Sequence, residues 1–450
     1  MLLLLACAAP VDDEEGLPAS AEPVEDSATP AGDSGVDAPQ PGTWGDPILA
    51  GATLDLDVAR PELTDAMIAG DQLVFVGQEQ GRDGGMWSFS LADPDAPVLL
   101  GHTTDRTHIQ RACWDGSQAW GMTREGQLLT LSLGATGPVV LREGAVGTVG
   151  TGLDCSADVV AWGEGASGGG WAAREGTWIG AERALTGDVQ DVLIEGSRMW
   201  LLARDRLTAY DIQGEALTEL GHVELDGTCL DLSPGADWLA VACGSGGVAL
   251  VDRADGQPSR LGAWTGPAAA RAVSVQGDSV WVAGWTDLLL LDASDPAGPR
   301  LVGVEAAPAS AMSVVAGAGE RAYVADWNRP FVVTRTGASA PEVRLSTGWV
   351  SAGGAATVHN DGTEALWLDG LSLAPGASWT WEIPDDATGL LSLPTDDPDE
   401  ATISVEVGGP GGLLVGQDAP NFSEPDLRGE LWELAKLHGE VVFLGLFTDG

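Results

Sequence analysis

The side chains best suited to chemistry in this 450-residue chain are few: five cysteines (Cys7, Cys113, Cys155, Cys229, Cys243) and five histidines (His102, His108, His222, His359, His438). No two cysteines form C-x-x-C, the arrangement that tunes a thiol for redox exchange. The histidines lack the paired spacing of a zinc site, so no metal centre and no cofactor is expected. GASGG (165–169) fits G-x-S-x-G around Ser167. That pattern makes a nucleophile only on a strand-to-helix turn where a histidine and an acid converge. Here it lies in a glycine-rich hairpin loop and reads as a turn. Asp396, Asp397, Asp399 and Glu400 offer oxygens to calcium, but with Pro398 fixing the turn a solvated loop is the better reading.

Cys229 and Cys243 lie symmetrically about Ala236, beside a hairpin turn near Gly235, and are expected to face each other across its strands as a disulfide. Cys113 and Cys155 each stand seven residues before a tryptophan. They read either as a second pair or as two buried thiols.

The elements that would hold these residues follow from composition. Glycine reaches 63 residues and tryptophan 18, against 2 tyrosines, a profile of short strands joined by glycine turns. Asp and Glu number 67 against 21 Lys and Arg, for a net charge of −46. Such a chain repels phosphate backbones and anionic lipid, which excludes nucleic acid and basic membrane attraction.

The chain opens MLLLLACAAP, and Leu4-Leu5-Ala6-Cys7 resembles the lipobox of bacterial lipoproteins. The resemblance implies cleavage before Cys7, acylation of its thiol and anchoring to a membrane of the cell envelope, either in the outer membrane or facing the periplasm. Residues 1–7 are then a signal segment. Residues 8–45 are rich in Pro, Ala, Asp, Glu and Ser and read as a disordered acidic tether. In an exported protein the four remaining cysteines tend to oxidise.

Residues 46–344 are periodic. Turns at Gly70, Gly116, Ala157, Gly196, Gly235, Gly277 and Gly317 recur every 39 to 46 residues, each between two apolar strands. That period, with four short strands per unit, is one β-propeller blade, so seven blades are expected. Trp120, Trp162, Trp200 and Trp281 recur at one position of the unit and read as packing between blades rather than as a ligand-stacking ring. DPILAG (46–51) and PEVRLS (341–346) compete to supply the strand that closes the ring. LADPDAPVLLG (91–101) and LLDASDPAGPRLVG (290–303) resemble the D-x-S-D-P-x-x-P turn of the LVIVD-repeat family.

Residues 345–408 alternate strictly, with frequent turns, and are expected to form a small β-sandwich. VHNDGTEALWL (358–368) and LPTDDPDEATISVEV (393–407) resemble immunoglobulin-like modules of bacterial envelope proteins.

Residues 409–450 resemble the start of the redoxin group of thioredoxin-like proteins, which includes the alkyl hydroperoxide reductase/thiol-specific antioxidant proteins. The matching positions are Gly416, Ala419, Pro420 and Phe422, then DLRGELWEL (426–434) and the apolar run Val441–Phe447. In that group a reactive cysteine follows this strand at a helix N-terminus. Phe447 and Thr448 place it just beyond Gly450, so the chain is expected to carry a truncated domain with no catalytic residue of its own.

The expected fold is therefore mainly β: a seven-bladed propeller, a small β-sandwich and a truncated thioredoxin-like α/β start. The expected function is an envelope-anchored protein whose propeller binds a protein or small ligand, fused to an incomplete thiol oxidoreductase. The alternative is a non-catalytic surface scaffold.

Overall fold

The structure is a computed structural model. It describes residues 49–407, with breaks at 59–60, 80–83, 107, 267–268, 336–340, 346–348, 351, 361, 363 and 398–400, and beyond them only 423–425 and 431–433. Among the described residues there is no α-helix, and a single 3-10 turn lies at Ala254–Gly256.

Strand β1 (Leu49–Thr53) enters first. Then come β2–β5 (Pro61–Ala69, Gln72–Glu79, Gly84–Ser90, Val98–Arg106), which form one antiparallel sheet in sequence order. Strands β6–β9 (Ile109–Trp114, Ala119–Thr123, Gln127–Gly134, Gly137–Ala145) form the next. Strands β10–β14 (Gly152–Cys155, Val159–Gly163, Gly169–Glu175, Trp178–Ile179, Arg183–Leu185) form the third, β13 and β14 both pairing with β12. Strands β15–β18 (Asp191–Glu195, Arg198–Leu202, Arg206–Gln213, Ala216–Glu224) and β19–β22 (Asp231–Pro234, Trp238–Ala242, Val248–Asp252, Ser259–Trp264) repeat the pattern.

Strands β23–β28 (Ala272–Gln276, Ser279–Ala283, Trp285–Asp292, Arg300–Ala316, Arg321–Asp326, Phe331–Thr334) form one continuous sheet with β1 at its far edge. The long β26 joins its two halves: the first part pairs with β25 and the second with β27.

The first strand of each unit contacts its counterpart in the next, in the order β2, β6, β10, β15, β19, β23, β26 and back to β2. The sheets therefore stand around an axis lined by these inner strands. Each pair of neighbouring sheets encloses an apolar wedge. Met67, Val74 and Met86 meet Ile109, Leu129 and Leu131, for example, and Trp200, Leu207 and Ala209 meet Leu232, Val241 and Val251. Second strands such as β20 (WLAVA) and β24 (SVWVA) are buried along their whole length because both of their faces are covered. Outer strands such as β18 are mostly exposed or half-buried.

The turn anchors serve the hairpins in two ways. Gly70, Gly116, Gly196 and Gly277 adopt φ between +59° and +92°, which a side chain resists. Gly235 and Gly317 do not. There a Cβ would meet the ring of Trp238 at 3.0 Å or of Tyr323 at 2.6 Å.

Of the two strands that could have closed the ring, the N-terminal one does so: β1 pairs antiparallel with β28, Leu49 opposite Thr334. Val343–Leu345 (β29) belongs elsewhere. With β30 (Trp349–Val350), β31 (Ala355–Asn360), β32 (Leu366–Leu368), β33 (Leu371–Leu373), β34 (Ser378–Glu382), β35 (Gly389–Pro394) and β36 (Thr402–Val407), it builds a second unit. The sheets β29-β31-β34 and β30-β36-β35 and the hairpin β32-β33 share one core around Val358, Leu366, Trp381 and Val405. The side chain of Asn360 pins that core. Its Nδ2 donates to the carbonyls of Glu364 (2.8 Å) and Leu373 (2.9 Å), and its Oδ1 accepts from Gly362 N–H at 3.1 Å.

Past residue 407 the described residues are a hairpin of β37 (Ser423–Pro425) with β38 (Leu431–Glu433). Cys7, Gly416, Ala419, Pro420, Phe447 and Thr448 lie outside the described residues, as do the tether and Val441–Phe447.

Candidate functional site

The inner strands all begin at the same end of the ring, and a polar cavity of about 160 Å³ opens there. Thr64, Gln110, Arg111, Thr151, Gln190, Leu230 and Arg271 line it. Thr151, Gln190, Leu230 and Arg271 stand one residue before an inner strand, and Thr64, Gln110 and Arg111 lie within the first four residues of one, so six of the inner strands deliver one or two residues each to the mouth.

The threonine hydroxyls are spent on the ring itself. Thr64 Oγ1 donates to Ile109 O at 3.1 Å, and Thr151 Oγ1 donates to Val189 O at 2.8 Å. Gln190 Nε2 is likewise occupied by Asp188. Arg111 donates Nε to Thr151 O at 2.9 Å. Among the described residues no carboxylate lies within 4 Å of the Arg111 or Arg271 guanidinium, and the Gln110 side chain makes no hydrogen bond.

Beneath the arginines, carboxylates staple one inner strand to the next. Asp65 accepts from Ala112 N–H (3.0 Å), Asp191 from Leu232 N–H (3.2 Å) and Asp231 from Val273 N–H (2.8 Å). A second tier, two residues further along, repeats the device. Asp154 accepts from Ile194 N–H (2.6 Å), Ser233 Oγ from Val275 N–H and Ser274 Oγ from Ala316 N–H.

Enclosure by protein raises these acids. Desolvation pushes Asp154 to about 7 and Asp231 to about 6, with Arg111 opposing it at Asp231; Asp191 rises well above the ordinary value by burial and the nearby Asp231. Arg271 is pushed down to about 10 by burial and then by the charge of Arg111, with Asp231 opposing. Because these groups line a channel, most keep some contact with solvent, so desolvation is partial.

Two further features border the mouth. Arg271 lies over the Trp285 ring, 5.4 Å from its centroid. Trp285 is 47% exposed and adopts φ +69°, a conformation costly for a bulky side chain. His108, one residue before β6, is buried, and neither ring nitrogen has a hydrogen-bond partner. Burial and Arg124 lower it to about 4, so it is neutral at neutral pH.

The residues singled out from sequence fall elsewhere. Trp120, Trp162, Trp200 and Trp281 are buried in the wedges between sheets, so they pack the fold and form no ligand-stacking ring. Three of them are capped by the residue five positions earlier. Trp120 Nε1 donates to Asp115 (2.8 Å), Trp200 Nε1 to Glu195 (2.9 Å) and Trp281 Nε1 to Gln276 (3.5 Å).

Ser167 sits in a turn, its N–H donating to Glu164 O at 3.1 Å, on a loop between strands with no helix. His222 contacts Glu219 and His359 contacts Ser378. His102 lies beside Trp87.

The acids at 396–397 bond to backbone. Asp396 accepts from Trp367 N–H at 2.7 Å and Asp397 from Val343 N–H. Asp397 is buried, so the expected solvated loop holds only for its neighbour; Asp399 and Glu400 lie outside the described residues. The D-x-S-D-P stretch forms Asx turns: Ser294 N–H donates to Asp292 and Ala297 N–H to Asp295.

The sulfurs of Cys229 and Cys243 lie 1.99 Å apart beside the β19–β20 hairpin, and those of Cys113 and Cys155 lie 2.09 Å apart on β6 and β10 of neighbouring sheets. Asp154 joins the latter two within 4.8 Å, the one metal-capable grouping among the described residues. Sulfurs at bonding distance from each other cannot also act as thiolate ligands.

Known proteins place the fold. The LVIVD repeat family matches residues 267–304. Among solved structures, the chain is similar to the WD40 β-propeller domain of Doa1 (TM-score 0.52, 15% identity, covering 64% of this chain and 97% of that one). It is also similar to the WD40 repeats of RRP9 (TM-score 0.52, 11% identity, 64% and 100% covered). A third is the β-propeller domain of Myceliophteria thermophila Cps50 (Swd1) (TM-score 0.54, 12% identity, 64% and 100% covered). No curated protein sequence matches the chain. At these identities the likeness is one of fold: the chain contains a β-propeller.

Proposed function

We propose that this β-propeller protein is a binding protein of the cell envelope, anchored through Cys7, which takes its ligand at the channel mouth. The observation that carries the reading is the cavity at Arg111 and Arg271, where among the described residues neither guanidinium has a carboxylate at ion-pair distance and the Gln110 amide has no hydrogen-bond partner. Among the described residues of the mouth no nucleophile stands together with a base and an acid, and the reading taken is binding. The ring is read as seven blades, the last completed by β1, and residues 345–408 as an immunoglobulin-like sandwich. Both cysteine pairs are read as disulfides, Cys113–Cys155 joining neighbouring blades, which suits an oxidising compartment.

Residues 409–450 are read as the opening of a redoxin domain. The β37–β38 hairpin, with the DLRGE stretch between its strands, is compatible with that resemblance. The sequence has no cysteine after Cys243, so thiol chemistry in this segment would need a thiol from elsewhere.

Hydrogen exchange on the purified chain, with and without a small-molecule extract of the envelope fraction, tests the binding reading. Protection is expected at residues 108–113, 190–192 and 270–273, and protection confined to the outer strands overturns it. Palmitate labelling tests the anchor: it should disappear in Cys7→Ser, and a Cys7→Ser protein that still labels refutes it.

A further inference from the structure

The mouth carries a charge arrangement with a definite ligand preference. Arg111 is half-buried and feels Asp65, Asp191 and Asp231, yet none of these approaches to ion-pair distance; each is committed to a backbone N–H of the next unit. Arg271 has no ion-pair partner among the described residues and carries the repulsion of Arg111. Burial and the charge of Arg111 weaken the Arg271 guanidinium, while nearby acids hold Arg111 charged, so an anion placed between the two gives Arg271 the counter-charge it lacks. Their planar forks suit a carboxylate or phosphate taken bidentately.

Three observations choose among anions. The carboxylate layer below the arginines and the net charge of −46 disfavour a doubly charged group. The cavity is about 160 Å³, close to the roughly 150 Å³ that holds one benzene ring, so it takes a guest of a few carbon atoms. Its remaining lining of Thr64, Gln110, Thr151, Gln190 and Leu230 is mostly polar, with Leu230 as the one apolar side chain, and suits a short organic body that carries polar atoms.

A cation is disfavoured by the same geometry. Asp65, Asp191 and Asp231 do not converge on one point, and the metal-capable grouping among the described residues lies instead at Cys113, Asp154 and Cys155.

We propose that the channel mouth binds a small organic monocarboxylate, its carboxylate held between Arg111 and Arg271, with Trp285 as the residue that positions Arg271. The proposal rests on the reading of the mouth as the binding site. Trp285 explains its own backbone: a side chain held at φ +69° and 47% exposed contributes little to packing, but it provides the ring on which the Arg271 guanidinium lies.

Titration calorimetry of the full chain with benzoate, succinate, inorganic phosphate and choline tests the proposal. Benzoate should saturate one site, the dianions succinate and phosphate should bind at least about tenfold more weakly, and choline should not bind. Arg271→Gln should weaken carboxylate binding about tenfold or more with an unchanged Tm. Trp285→Gly removes the strained side chain, so it should keep or raise the Tm while weakening binding, and Trp285→Phe should restore part of it. The proposal is overturned if benzoate does not saturate by about 10 mM, if succinate or phosphate binds more tightly than benzoate, or if Arg271→Gln binds as the parent does. Extract-induced protection at the mouth without carboxylate binding would sink this proposal and leave the binding reading standing. Carboxylate binding with protection elsewhere would sink both.

Discussion

Ser313 donates its hydroxyl to Asp65 Oδ1 at 2.9 Å across 248 residues of sequence, joining the last inner strand to the first. The same carboxylate accepts Ala112 N–H through Oδ2, so one side chain ties β2 to the inner strands on either side. Asp65→Ala should cost about 3–5 kcal/mol, because it strips the acceptor from a hydroxyl and a peptide N–H and leaves Arg111 less compensated. Ser313→Ala removes one donor and should cost about 1 kcal/mol. The exposed bidentate pair Arg321–Asp95 spans the same seam, yet Arg321→Ala should cost no more than about 1 kcal/mol. Denaturant unfolding of the three variants checks the ranking, and equal losses would refute it.

The cap on Trp200 offers a cleaner test. Glu195→Ala leaves a buried indole N–H without its acceptor and should destabilise by about 1–3 kcal/mol. In a Trp200→Phe background, which has no such donor, the same substitution should cost measurably less. A double-mutant cycle reads the difference, and a coupling near zero would show that the bond contributes nothing.

Asp154 should make the propeller less stable as pH rises. Its pKa is raised to about 7 in the fold, so between pH 4 and 7 the native state binds more protons than the unfolded chain. Stability is then full below about pH 4, falls as pH climbs through 7, and is lowest above it. Asp154→Asn keeps an acceptor for Ile194 N–H and removes the charge. It should gain about 1–3 kcal/mol over the parent at pH 8 and little at pH 4.5. Thermal melts at the two pH values decide, and a parallel shift at both would contradict the assignment.

Asn360 is predicted to be the least replaceable polar residue of the second unit. Asn360→Asp puts an acceptor where Nδ2 donates to two carbonyls in a fully buried place, and it should cost about 3 kcal/mol or more. Limited proteolysis between residues 341 and 407 should quicken, while the propeller strands remain protected.

The frame was legible because repeats announce themselves. Turn glycines at a fixed period and apolar second strands placed the sheets. The mouth was harder to see. Asp65, Arg111 and Asp191 each stand five residues before a turn glycine, on an inner strand where charged side chains are out of place, which is a signal carried by the phase of the repeat. Asp231 and Arg271 are displaced from that phase, four and six residues before Gly235 and Gly277. Trp285 was invisible as a site residue, because one tryptophan among 18 says nothing about its backbone angle or the arginine above it. Asn360 was seen as part of a strand-pair resemblance, but not as the pin of a core, since its partners are carbonyls.

Strand β1 sets a clock on the making of the molecule. Leu49 pairs with Thr334, so this strand gains its partner only after 285 more residues have been added. At about 5–20 residues per second that interval is roughly 15–60 s. Throughout it β28 is missing, the wedge around Leu63 and Phe75 lacks Tyr323 and Val332, and the half-built ring offers unpaired edges to any strand nearby. For this fold, whatever guards the nascent chain must do so until nearly the whole propeller has been made.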